Sequence, residues 1–108
     1  MIAKNTIAIV DDEQDILDML SYNLKSQGYQ VFTYNNGEDL ILGINNNIDL
    51  IILDVMMPKL DGFSTCKKIK SNIETRDIPI IFLTAKDDDF DEVVGLEIGA
   101  VDYITKPI

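Results

Sequence analysis

Histidine is absent from all 108 residues. Its absence excludes a serine-hydrolase triad, an imidazole metal site and any phosphohistidine carried by the chain itself. Cysteine occurs once, as Cys66, so no internal disulfide can form and no zinc-ligand set exists, which fits a reducing compartment. Cys66 is expected to be a small buried apolar residue. Uninterrupted apolar stretches such as Ile80–Leu83 are far shorter than the roughly 18 residues of a membrane span, and no basic segment followed by an apolar one opens the chain. A soluble, cytoplasmic protein is expected. Basic residues are few: nine against nineteen acidic ones give a formal charge of −10, which repels phosphate backbones and argues against direct nucleic-acid binding. Any DNA-related role must then belong to another domain.

Hydrophobic residues make up 46% of the chain, with six Gly and three Pro, a composition that suits a single folded domain over residues 1–108. Five short aliphatic or β-rich runs alternate with helical periodicity. The strands are expected at Asn5–Val10, Tyr29–Tyr34, Ile48–Val55, Ile78–Thr84 and Val101–Thr105. Between them, Glu13–Gln27 carries Ile16, Leu17, Leu20 and Leu24 on one face and is stopped by Gly28. Further helices are expected from Glu38 to about Ile44, from about Phe63 to Ser71 and from about Phe90 to Ile98. This alternation calls for an α/β fold, a doubly wound five-stranded parallel sheet with helices on both faces. Such a sheet normally closes with a helix after its last strand, yet the sequence stops at Ile108. The last helix is therefore expected to be absent. Bare apolar surface on one sheet face, favouring self-association or swapping, or a fragment of a longer protein, is the corresponding expectation.

In a parallel sheet, residues just past the strand C-termini meet along one edge. Those residues are Asp11 and Asp12 after the first strand, Asp54 at the third, Thr84 and Ala85 at the fourth, and Lys106 and Pro107 after the fifth. Taken singly, Asp12 reads equally well as a helix N-cap and Thr84 as an ordinary β-branched strand residue. Taken together, three carboxylates are costly, because two unit charges ~4 Å apart at an effective dielectric of 20 repel by about 4 kcal/mol. A cation relieves that repulsion. Oxygen ligands without nitrogen or sulfur indicate Mg²⁺, or else Mn²⁺. A calcium loop fails on spacing: counted from Asp11, its sixth and twelfth positions hold Ile16 and Tyr22, and counted from Asp87, Glu92 and Ile98. The acidic run "DDDFDE" reads as the solvated start of a helix. A divalent ion, a lysine and a hydroxyl together make a phosphoryl site, and Asp54 could attack phosphorus to form an acyl phosphate.

At this point "IVDDE" (Ile9–Glu13), "LIILDVMMPKLDG" (Leu50–Gly62), "IIFLTAK" (Ile81–Lys86) and "GAVDYITKP" (Gly99–Pro107) resemble, in order and spacing, the four sequence blocks of response-regulator receiver domains of two-component signalling. The resemblance implies a flavodoxin-like strand order 2-1-3-4-5 and a phosphorylation-dependent switch. It implies that Asp54 is the phosphoacceptor, that Asp12, Asp54 and the backbone carbonyl of Met56 bind Mg²⁺ directly, and that Asp11 holds the ion, often through water. Lys106 matches the lysine that pairs with the phosphoryl group, Thr84 the switch hydroxyl, Ala85 a backbone N–H to the phosphate, and Tyr103 the aromatic switch. The Lys106–Pro107 bond would be cis. Implied partners are a sensor histidine kinase and an output domain. "LDVMMPKLDGF" and "GLEIGAVDYITKP" look most like receivers of winged-helix transcriptional regulators, which dimerise through their fourth helix, fifth strand and fifth helix. Two departures are Val101, where that subgroup usually has Asp, and the missing last helix, which puts that dimer in doubt. Met56 and Lys86, each two residues past a site residue, would flank the path of the hydrolytic water. Two rivals stand beside this reading. One is a Mg²⁺-dependent phosphatase with an aspartyl nucleophile, although its aspartates would lie two apart after the first strand and not side by side as Asp11 and Asp12 do. The other is a docking module that is never phosphorylated.

Overall fold

A computed structural model describes residues 5–45, 47–84 and 89–106, with side chains omitted at 89–93. The elements run β1 (Thr6–Val10), α1 (Gln14–Ser26), β2 (Gln30–Tyr34), α2 (Gly37–Gly43), β3 (Leu50–Asp54), α3 (Gly62–Ser71), β4 (Ile80–Thr84), α4 (Asp89–Ile98) and β5 (Asp102–Thr105). All four strand pairings are parallel and the order is β2-β1-β3-β4-β5, as expected for the flavodoxin-like fold. No helix follows β5 among the described residues.

Side-chain alternation along each strand divides the interior in two. Ala8, Val10, Ile51, Leu53, Ile80 and Phe82 face α2 and α3, where they pack with Leu40, Cys66 and Ile69. Ile7, Ile9, Ile52 and Leu83 face α1, meeting Leu17 and, at its flanks, Ile16, Leu20 and Leu24. Burying each such aliphatic side chain contributes about 1.5–3 kcal/mol relative to exposure, so the central strands anchor the rim above them. Cys66 is fully buried, as its apolar reading requires, and burial raises its thiol pKa against the opposing charge of Lys70. At the far edge, Ile104 pairs in register with Leu83 and so lies on the α1 face, where it is 40% exposed.

Several boundaries differ from the sequence expectation for local reasons. Helix α1 starts after Glu13, not after an Asp12 cap; the Glu13 N–H donates instead to Asp11 Oδ1 at 2.8 Å. Asn36 caps α2 by accepting from the Asp39 N–H at 2.7 Å, which draws Gly37 into the helix. Strand β3 begins two residues late because Ile48 closes a turn onto the Asn45 carbonyl and the Asp49 carboxylate accepts from the Thr6 N–H at 2.7 Å.

Candidate functional site

Register assembles the rim. Val10 pairs with Leu53, Asp54 with Leu83 and Thr84 with Thr105, so Asp11, Asp54, Thr84 and Lys106 follow one another across three strand boundaries. Backbone bonds hold the ends in place: Val55 N–H donates to Leu83 O at 3.1 Å, and Lys106 N–H to Thr84 O at 2.8 Å. The loop after β3 turns back tightly. Asp61 caps α3 by accepting from the Ser64 N–H, and Gly62 N–H donates to Val55 O at 3.0 Å. A Cβ at Gly62 would lie 2.8 Å from Val55 Cα and collide with the Asp54 carbonyl, so only glycine lets α3 start this close to the site. Lys59, in the same loop, takes φ 65°, a left-handed conformation uncommon outside glycine.

Asp11, Asp12 and Asp54 each bring a carboxylate oxygen within 4.8 Å of the others. Asp11 is fully buried and Asp54 is 2% exposed, while Asp12 faces solvent. Lys106 Nζ stands among the acids, 3.1 Å from Asp11 Oδ2, 3.3 Å from Asp54 Oδ1 and 3.5 Å from Glu13 Oε1. Asp54 Oδ1 also accepts a long bond from the Met56 N–H at 3.4 Å. Burial and then the charge of Asp11 raise the Asp54 pKa to about 7, despite the opposing pull of Lys106 and the Met56 N–H. Burial by itself would lower the Lys106 pKa, but its contacts with Asp11 and Asp54 outweigh that and shift it upward.

The buried Thr84 Oγ1 has no hydrogen-bond partner among the described residues. An unsatisfied buried hydroxyl costs about 1–3 kcal/mol, so Thr84 Oγ1 leaves an unmet hydrogen-bonding group at the rim. Tyr103 is half-buried and packs on the α2–α3 side of the core. Met56 projects outward, 69% exposed, beside a cleft of about 480 Å³ bounded by Asp12, Met57, Pro58 and Phe63. Ala85, Lys86 and the Lys106–Pro107 bond lie outside the described residues. Two contributors escaped the sequence reading. Glu13 enters the sequence reading only as the first residue of the expected helix, and its contact with Lys106 spans 93 residues. Gly62 enters the sequence reading only as the last residue of the "LIILDVMMPKLDG" block, and nothing in a single sequence distinguishes a close-approach glycine from any other.

A doubly wound sheet with three acids, a lysine and a buried hydroxyl at its C-terminal rim has the side chains to accommodate a cation and an anionic group together. The comparisons with known proteins narrow that description. The response regulator receiver domain family model matches residues 7–108. The chain is 49% identical over 102 residues to the alkaline phosphatase synthesis transcriptional regulatory protein PhoP of Bacillus subtilis (strain 168), covering 94% of this chain and 42% of that protein. Among solved structures, DrrB, a Thermotoga maritima OmpR/PhoB homologue, superposes with a TM-score of 0.84 at 37% identity, over 98% of this chain and 47% of DrrB. The chemotaxis protein CheY4 of Vibrio cholerae gives 0.86 at 29% identity, over 98% and 89%. The chain belongs to the response regulator receiver family of two-component signalling. It spans less than half the length of the PhoP relative. Receiver domains bind Mg²⁺ at an acidic aspartate cluster, and the all-oxygen set of Asp11, Asp12 and Asp54 suits a hard cation with water completing its shell.

Proposed function

We propose that residues 1–108 belong to a receiver domain in which Asp54 is the phosphoacceptor of a partner histidine kinase. The observation that carries this reading is the convergence of Asp11, Asp12 and Asp54 within 4.8 Å, with Lys106 3.3 Å from Asp54. An Asp54 carboxylate oxygen attacks the phosphorus of the donor's phosphohistidine in line; the P–O bond forms, the P–N bond breaks, and the leaving imidazole keeps the electron pair and takes up a proton. A Mg²⁺ ion, or Mn²⁺ in its place, held by Asp11, Asp12, Asp54 and the Met56 carbonyl would neutralise the phosphoryl oxygens and favour ionised Asp54.

Lys106 then pairs with a phosphoryl oxygen, and Thr84 Oγ1 donates to another. With Thr84 drawn to the phosphate, Tyr103 moves into the space the hydroxyl leaves, and the backbone N–H of Ala85 supplies a further donor. These shifts pass to an output domain outside the sequence, of the DNA-binding type that the transcriptional relatives suggest, acting in the cytoplasm. The domain is a signalling switch that promotes its own phosphorylation and slow dephosphorylation, not an enzyme acting on a separate substrate. The adjacency of Asp11 and Asp12 supports this over the phosphatase reading, and the full set with Thr84 and Lys106 supports it over a docking module.

The test is intact mass after incubation with acetyl phosphate and Mg²⁺. Wild type should gain one phosphate and Asp54→Ala none. Equal gain in both would place the acceptor elsewhere.

A further inference from the structure

Strand β2 is an edge of the sheet, and in one respect it is unlike the rest of the chain. Charged residues make up 26% of the sequence, yet Gly28–Gly37, the whole of β2 with its flanks, contains none. Neither does the stretch Gly43–Ile48, of which Gly43, Asn45, Asn47 and Ile48 lie beside it. Natural edge strands are usually protected by charge, proline or a bulge. None of these protects the β-branched and aromatic run Gln30–Tyr34.

Its backbone is open for pairing. Gln30 N–H donates to Asn5 O at 2.9 Å and Tyr34 O accepts from Asp11 N–H at 3.2 Å, so the backbone groups of Gln30, Phe32 and Tyr34 turn toward β1. By alternation, those of Val31 and Thr33 turn outward, where the sheet has no further strand among the described residues. Phe32 pairs in register with Ala8, placing its ring on the α2 face, where it is 45% exposed. A cavity of about 330 Å³ opens beside that ring, bounded by Gln30, Tyr34, Gly43, Asn45 and Ile48.

We infer that β2 pairs antiparallel with β2 of a second copy of this chain about a two-fold axis through Phe32. The edge is self-complementary in that arrangement. Val31 exchanges both backbone hydrogen bonds with Thr33 of the second copy, and Thr33 with its Val31. The two Phe32 residues become the non-hydrogen-bonded pair on the axis, with Cα atoms about 4.5 Å apart. Each ring then has the other copy's cavity beside it. Charge selects this occupant. Two chains of −10 repel over most of their surfaces, and β2 with its flanks brings no charged residue of its own to the contact. Pairing should therefore tighten as salt rises, whereas a basic foreign strand would bind more weakly.

Sedimentation equilibrium of the chain from micromolar to millimolar concentration tests the inference. A monomer–dimer equilibrium that strengthens with salt is expected. Phe32→Asp, which places two carboxylates on the axis, should weaken it by at least about tenfold. Thr33→Pro should abolish it while preserving the circular dichroism spectrum, because the N–H it removes faces outward. Phe32→Cys should cross-link under mild oxidation, and Leu42→Cys, on the 85%-exposed surface of α2, should not. A monomer at millimolar concentration, a dimer indifferent to Phe32→Asp and Thr33→Pro, or cross-linking equal at both cysteines would overturn it. So would capture of a YQVFTY peptide by a chain that does not pair with itself.

Discussion

Strands β2 and β3 are both five residues long and lie parallel in one sheet, yet they solve opposite problems. β3 sits at the centre with four of its five residues buried and ends in the acid Asp54. β2 sits at the edge, largely exposed and without charge. The aliphatic half of β3 supplies packing enough to hold a carboxylate where water cannot solvate it well. β2 has no such reserve and carries no such group. A costly buried carboxylate thus stands where the fold can best hold it in place.

The largest effect that would break this comparison comes from Asp54 itself. With a folded-state pKa of about 7 against an ordinary value of 3.8, the protonated acid is favoured by folding. Without a divalent ion, its contribution is therefore fully present at low pH, declines as pH rises from about 4 to about 7, and is gone above that. At most about 4 kcal/mol is at stake. Asp54→Asn should flatten the curve, so that the variant's advantage over wild type in urea denaturation grows from pH 4 to pH 8. An advantage that stays constant over that range would mean that Asp54 is not held in a charge-averse site.

Next in size is the ion. At a concentration a hundred times its dissociation constant, a ligand that binds only the folded state stabilises it by about 2.7 kcal/mol. Millimolar Mg²⁺ should raise the melting temperature of wild type and leave Asp12→Ala unchanged. A rise that survives in Asp12→Ala would move the ion away from the acids. Smaller still is the packing contrast. Ile51→Val, at a fully buried β3 position, should cost about 0.5–1.5 kcal/mol, and Thr33→Ala on exposed β2 should stay within about 0.5 kcal/mol. Similar losses at both would erase the distinction between centre and edge.

The sequence made the centre of the sheet legible because burial on both faces requires continuous aliphatic runs, and β3 and β4 have them. It made the rim legible because each run ends in a polar residue and a parallel sheet brings those ends together. What stayed hidden depends on three-dimensional approach. Asp11 and Asp12 are neighbours in sequence, but one is fully buried and the other exposed. The Glu13–Lys106 contact, the collision that reserves position 62 for glycine and the left-handed backbone of Lys59 leave no periodic trace. The starts of β3 and α2 were misplaced because single side chains, Asp49 and Asn36, satisfy backbone N–H groups there and override the hydrophobic pattern.

Met56 sharpens the comparison at its finest point, because it is where the buried strand hands over to the solvent-facing loop. Its backbone N–H touches Asp54 Oδ1, but its side chain is 69% exposed beside the cleft that borders Asp12. A long apolar side chain there has no group with which to orient water, and on the proposed reading it would stand beside a phosphoryl group on Asp54. Asparagine at the same place could hydrogen-bond an attacking water while leaving Asp54, Lys106 and the packing beneath them untouched. Phosphorylated Met56→Asn should accordingly lose its phosphate several-fold faster than wild type, each tenfold in rate corresponding to about 1.4 kcal/mol of barrier. The decay is read by intact mass after removal of the phosphodonor. Equal decay in the two proteins would show that access of water to Asp54 is governed elsewhere on the rim and not by the residue that leads the chain out of β3.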